Sequence, residues 1–189
     1  MGIMLDQTAS EPFDLQSTRP AGFWIRVVAY IIDFLILLVF GVGAMFLKSV
    51  GGYIALMIPV ILYKPVLEGL LGGTAGKLAI GLRVINAEGH KIGLAGGFVR
   101  AGLFILPIIP SMLLQVKMIQ AGISPFDPVA AKQFQQSNEL LYIVYYGLSL
   151  LLLVSCIVVA FTKRKRGLHD MIADSYVINL SKGGSANEG

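Results

Sequence analysis

Residues 22–47 read GFWIRVVAYIIDFLILLVFGVGAMFL. At 1.5 Å per residue, roughly 20 apolar residues cross the ~30 Å hydrocarbon layer of a bilayer, and this run is long enough. Phe23 and Trp24 open it with rings suited to the headgroup level. Three further runs have the same character: Tyr53–Leu71, Phe98–Ile119 and Leu140–Phe161. The last opens with Tyr142, Tyr145 and Tyr146. The spacing predicts four membrane-crossing helices. Over the whole chain of 189 residues, 56% are hydrophobic and 14% charged, too apolar for an ordinary water-soluble domain.

The placement of cations sets the expected orientation. With four crossings, Arg19, Lys77, Arg83, Lys91 and the run Lys163 to Arg166 fall on one side, and Lys48, Lys117 and Lys132 on the other. The richer side is expected to be cytoplasmic, with both termini there. Asp6, Glu11 and Asp14, with no basic residue before Arg19, do not fit a cleaved signal peptide, so the first apolar run is expected to remain. The expectation is an all-α membrane protein: a polar segment over 1–19, a transmembrane domain over 20–181 and a disordered tail over 182–189. Between the second and third crossings, Thr74–Leu82 suggests a short interfacial helix and Arg83–Asn86 with His90–Ile92 a small hairpin. Tyr176–Asn179 echoes the first arm and is a pairing candidate. Ser124-Pro125 and Asp127-Pro128, followed by the polar run to Glu139, read as an exterior loop. Pro59, Pro65, Pro107 and Pro110 fit either broken helices or simple kinks. Gly69 with Gly73, and Gly93 with Gly97, offer small faces for close packing or self-association.

Charges stand where lipid should be. Arg26 and Asp33 lie seven residues apart on one helical face, and Lys64 and Glu68 four apart on another. A charge at the bilayer centre costs about 2.5 to 3.5 kcal/mol on insertion scales, so each face needs a partner or water. Counted inward at 1.5 Å per residue, Arg26 and Glu68 sit about 5 to 6 Å deep, Lys64 about 10 Å and Asp33 about 16 Å. Antiparallel crossings then pair Arg26 with Glu68 and Asp33 with Lys64. Arg100, at the start of the third crossing, is placed to join the outer layer. Arg26 is not expected to bridge to Asp33, because helical side chains lean toward the N-terminus. Two readings of these residues stay open: fixed pairs that glue helices together, or an ion or proton site at Asp33.

Three motifs in order resemble the RDD family of bacterial membrane proteins, named for one Arg and two Asp. Gly22-Phe23-Trp24-Ile25-Arg26 through Asp33 resembles its opening motif. Glu68, Gly73-Thr74-Ala75-Gly76-Lys77 and Gly81-Leu82-Arg83-Val84 resemble the central one. Arg166-Gly167-Leu168-His169-Asp170 resembles the closing one, making Asp170 the second Asp; Asp174 departs from a common small residue followed by Thr. The resemblance implies a multi-pass protein of the bacterial inner membrane, with transport, including sodium/proton exchange, suggested for some members. It leaves the ligand open.

Other signals are weaker. Gly76-Lys77 lacks the glycine and hydroxyl residue of a nucleotide loop, since Leu71 and Leu78 stand there. Lys77 is expected at the interface, either touching lipid phosphates or solvated. Lys163 to Arg166 reads as a topology signal that touches anionic headgroups rather than nucleic acid. His169 beside Asp170 fits either a proton relay or a local hydrogen bond holding the C-terminal segment. No catalytic constellation or metal-ligand spacing appears, and no enzyme activity or cofactor is expected. The lone Cys156 has no disulfide partner within the chain. The open functions are a small transporter coupled to cations or protons, working as a homo-oligomer, and a scaffold or assembly factor that binds lipid or a partner protein.

Overall fold

A computed structural model of the chain describes residues 18–180. The expected polar segment up to residue 17 and the tail over 182–189 lie outside the described residues. Three long helices carry the architecture: α1 (Phe23–Met45), α2 (Val50–Leu71) and α7 (Glu139–Phe161). Each is long and apolar enough to cross a membrane, and the pair α4 (Gly93–Ile105) and α5 (Ile108–Gln120) makes a fourth crossing if counted as one bent span. The short elements among the described residues are α3 (Ala75–Ala79), β1 (Leu82–Ile85), α6 (Pro128–Ser137), α8 (Leu168–Ile172) and β2 (Tyr176–Asn179).

The polarity of α1 is inside out. It buries Arg26, Ala29, Asp33 and Ala44 while exposing Val28, Ile31, Phe34, Leu35 and Val39. On α7, Leu140, Ile143, Leu150, Leu153 and Phe161 are likewise exposed. Apolar surface on this scale aggregates in water, whereas lipid is its natural solvent, and the polar groups then turn inward.

The expected third helix is two helices meeting at a 58° bend. Pro107 has no N–H to continue the α4 ladder and becomes the residue before α5. Pro59 and Pro65 leave α2 unbroken. The expected exterior loop contains α6, because Asp127 accepts from Val129 and Ala130 N–H and Pro128 takes the first helical position. Phe134 of α6 packs on Leu114 and Met118 of α5.

β1 pairs antiparallel with β2, with Val84 opposite Val177. Thus the first arm takes its strand partner from the C-terminal echo rather than from His90–Ile92, where His90 closes a turn on Asn86: Asn86 N–H donates to His90 C=O at 2.9 Å and His90 N–H to Asn86 Oδ1 at 2.8 Å. Ala21 N–H donates to Val177 C=O at 2.8 Å, and Pro20 bridges to Ile178. The start of α1 is therefore tied to the far end of the chain. Gly72 ends α2 in the left-handed region at φ 76, and Arg83 and Lys91 donate to the free carbonyls of Leu71 and Leu70. These contacts gather the sheet, the start of α1 and the end of α2 at one end of the bundle, the sheet end. Ala21, Ala29, Leu82, Val84 and Val177 form its apolar core.

Helices α2 and α4 make the most extensive helix contact. It depends on missing side chains: a Cβ on Gly97 would stand 2.3 Å from Pro65 C=O, and one on Gly69 2.7 Å from Gly93 C=O. The small residues in this stretch serve close packing within the chain.

Candidate functional site

The helix faces that carry charge converge at the sheet end. Glu68 of α2 is fully buried and has three cations around it. Lys77 donates to its Oε1, Lys64 Nζ lies 3.7 Å from the same oxygen, and Arg100 Nε lies 3.3 Å from Oε2. Arg100, on α4, also donates from Nη2 to Asp170 Oδ1. The other oxygen of Asp170, Oδ2, takes Arg26 Nη1 at 2.5 Å and the N–H of Gly167 at 3.0 Å. Arg100 is thus the link between two carboxylates that lie on α2 and α8.

Arg26 does not pair with Glu68 as the depth count predicts. Its side chain leans toward the helix start, donating from Nε to Ala21 C=O at 3.2 Å and from Nη2 to Lys165 C=O at 2.5 Å. That lean carries the guanidinium to Asp170 and away from α2. Asp33 does not pair with Lys64 either. α3 folds back against α1, and Asp33 accepts from Tyr63 O–H at 2.7 Å, Thr74 O–H at 2.6 Å and Gly76 N–H at 2.8 Å. The carboxylate thereby satisfies a free N–H in the first turn of α3, where Thr74 makes no cap of its own. A Cβ on Gly76 would stand 2.2 Å from Ala29 C=O, so only glycine permits this approach. Lys64 turns instead to aromatic faces, with Nζ 3.1 Å from the Phe104 ring centre and 5.3 Å from that of Tyr30.

Lys77 corrects a second expectation. It is neither interfacial nor solvated but 1% exposed, and it points inward to Glu68. Burial lowers its pKa, and the Glu68 carboxylate opposes that shift. On α8, burial alone would raise the pKa of Asp170, but Arg100 and Arg26 hold it well below the usual carboxylate range. His169 is driven down to about 2, chiefly by burial. The neutral ring stacks edge-on with Phe104 and meets Ser155 Oγ of α7 through Nδ1 at 3.0 Å. Ser155 Oγ also takes the backbone N–H of His169 at 3.3 Å, which fixes α8 against α7. Asp174 pairs on the surface with Arg166, whose guanidinium also covers the Tyr176 ring.

All eight residues singled out in the sequence are placed: seven form one connected cluster, and Asp33 stands one residue from it through the Gly76–Lys77 step. Tyr63 and Ser155 were not singled out, and Thr74 and Gly76 entered only as members of the central motif, without a role at Asp33. Of these, Tyr63 carried a signal, since a phenol inside a crossing has to find a polar partner. Among the described residues, the buried Arg26, Lys77 and Arg100 and the part-buried Lys64 of the connected cluster face the two carboxylates Glu68 and Asp170. Such a surplus of positive charge in a low-dielectric interior attracts anionic groups and opposes the entry of cations.

Residues 20–174 match the model of the RDD family. The chain belongs to the RDD family. A similar protein is "Uncharacterized protein YckC" of Bacillus subtilis (strain 168), 28% identical across 87% of this chain and 88% of the relative. Another from the same organism, "Uncharacterized protein YxaI", is 30% identical across 47% of this chain and 78% of the relative. No solved structure gives a significant match. The Arg and first Asp of the RDD motif are therefore not partners of each other here. Arg26 joins the second Asp, Asp170, while Asp33 serves α3.

Proposed function

We propose that this RDD-family chain is a non-transporting, multi-pass scaffold of a bacterial inner membrane, with both termini and the sheet end on the cytoplasmic side. It is not an enzyme. It holds a fixed cytoplasmic face on which lipid or a partner protein docks, and its buried charges maintain that face. The observation that carries this reading is the connectivity of Asp170 and Glu68, which through Arg26, Arg100 and Lys77 join α1, α2, α3, α4 and α8. A carboxylate that exchanges ions must be free to change partners. Asp33 instead holds three donors at 2.6 to 2.8 Å. The test is ion flux in vesicles reconstituted with the native chain and with Asp33→Asn. Absence of Na⁺, K⁺ and H⁺ flux from both is expected; native flux that Asp33→Asn abolishes overturns the scaffold.

A second reading, a small cation- or proton-coupled transporter assembled from several copies, is favoured by the 58° break between α4 and α5. Broken helices often flank transport sites, and the RDD resemblance implies sodium/proton exchange for some members. The same flux measurement decides between the two.

A further inference from the structure

The run Lys163 to Arg166 divides in two. Lys165 and Arg166 turn inward: Lys165 Nζ donates to Ala160 C=O at 3.1 Å and its carbonyl receives Arg26, while Arg166 holds Tyr176, Asp174 and the Asp170 carbonyl. Lys163 and Arg164 are exposed and meet no carboxylate among the described residues; Arg164 only approaches the Tyr176 ring, at 6.0 Å. Both line an open pocket of about 390 Å³ just past the end of α7, whose other walls are Thr18, Pro20, Tyr176, Val177 and Ile178.

Along the same α1–α7 seam lies a second space. A slot of about 170 Å³ runs between Phe23, Val27 and Tyr30 of α1 and Leu153, Cys156 and Ile157 of α7. Its walls are apolar apart from Arg26, which is engaged by Asp170 and Lys165. An apolar cavity of about 150 Å³ stays dry and accepts a hydrocarbon of benzene size, so this slot suits hydrocarbon rather than water. Pro20 and Phe23 precede and open α1, and Val159 and Lys163 close and follow α7. The polar pocket and the apolar slot therefore stack in the order of a phospholipid's headgroup and chain.

We propose that one anionic phospholipid of the cytoplasmic leaflet occupies the α1–α7 seam, its phosphate between Lys163 and Arg164 and part of one acyl chain in the slot beside Cys156. The assignment rests on the cytoplasmic placement of the sheet end and deepens the lipid-docking part of the scaffold reading. Charge selects the occupant: two exposed cations that meet no carboxylate among the described residues favour a net negative headgroup over a zwitterionic one. The apolar slot below favours a lipid over a soluble anion.

Cys156, the chain's one cysteine, lines the slot and reports its occupancy. The full chain in a neutral maltoside detergent is alkylated with a small membrane-permeant maleimide. The additions are phosphatidylglycerol, phosphatidylcholine with the same chains, or inorganic phosphate. Phosphatidylglycerol is expected to slow alkylation at least fivefold, phosphatidylcholine less than twofold, and phosphate not at all. In Lys163→Gln/Arg164→Gln the phosphatidylglycerol effect is expected to vanish, with the lipid-free rate and thermal unfolding unchanged because both side chains are exposed. Lys163→Glu/Arg164→Glu is expected to transfer protection to a cationic lipid. Equal protection by both phospholipids, protection by phosphate alone, or undiminished protection in the Gln variant overturns the site. None of these outcomes depends on ion flux, so the seam and the scaffold reading fail separately.

Discussion

Arg26 and Asp170 meet at 2.5 Å across 144 residues of chain. The contact ties the first turns of α1 to the short α8, and Arg100 shares the same carboxylate. Removing the charge at Asp170 leaves two buried guanidinium groups without it. Breaking a buried ion pair in this way costs about 3–5 kcal/mol. Asp170→Asn is expected to lower stability by that order, read as a shift in thermal unfolding in detergent. An unfolding curve superimposable on the native one would show that the cluster does not hold the bundle.

Gly76 and Gly102 give a paired test. A methyl group at Gly76 meets Ala29 C=O at 2.2 Å, whereas at Gly102 nothing lies within 4 Å. Overpacking of this kind costs about 1–3 kcal/mol, and alanine for glycine inside an open helix position gains up to about 1 kcal/mol. Gly76→Ala is expected to undock α3 and raise hydrogen exchange over residues 74–80, and Gly102→Ala to be neutral or stabilising. Equal protection over residues 74–80 in the two variants would contradict the close approach.

Asp33→Asn keeps the size of the side chain but turns an amide N–H₂ toward at least one donor. An unsatisfied buried group of this sort costs about 1–3 kcal/mol. The loss should appear as faster exchange in α3 and should be partly reproduced by Tyr63→Phe, which removes the 2.7 Å bond to Asp33. If Asp33→Asn leaves α3 protection intact, its carboxylate does not serve that helix.

Acidification should loosen α8. His169 in the folded chain stays neutral down to about pH 2. An unfolded His protonates below about 6.5, so the unfolded state binds more protons throughout that window and stability falls as pH falls. Between pH 6.5 and 5 the loss amounts to about 2 kcal/mol. Limited proteolysis between α7 and β2 should therefore accelerate at pH 5, and His169→Gln should flatten the dependence. Asp170, also held low, adds its own loss only at more acidic pH, below the ordinary carboxylate range.

Much of the frame was legible in the residues because lipid demands long apolar runs, and these stand out whatever their packing. The strand pairing was legible too: Arg83–Asn86 and Tyr176–Asn179 share a Val-Ile-Asn run, although the pairing of Leu82 with Asn179 shifts the strand by one residue. The ion pairs were not. A depth count treats helices as rods ending at one plane, with partners drawn only from other rods. Here α3 and α8 fold into the plane from the loops, and these short elements capture Asp33 and Arg26. Nothing in the spacing of Thr74, Gly76 or Ser155 signals such a return. The inward turn of Lys77 was hidden for the same reason, since a lysine in a loop ordinarily stays solvated.

The position of Asp170 also bears on how the protein is made. Translation delivers Arg26 first, then Lys64, Glu68 and Lys77, then Arg100, and the carboxylate that receives both arginines last. Until residue 170 is added, Arg26 therefore has no carboxylate partner and Arg100 has only Glu68. Addition of residue 170 supplies the carboxylate that both arginines share, so a chain that stops short of it leaves the Arg26 guanidinium unmatched and the start of α1 untied.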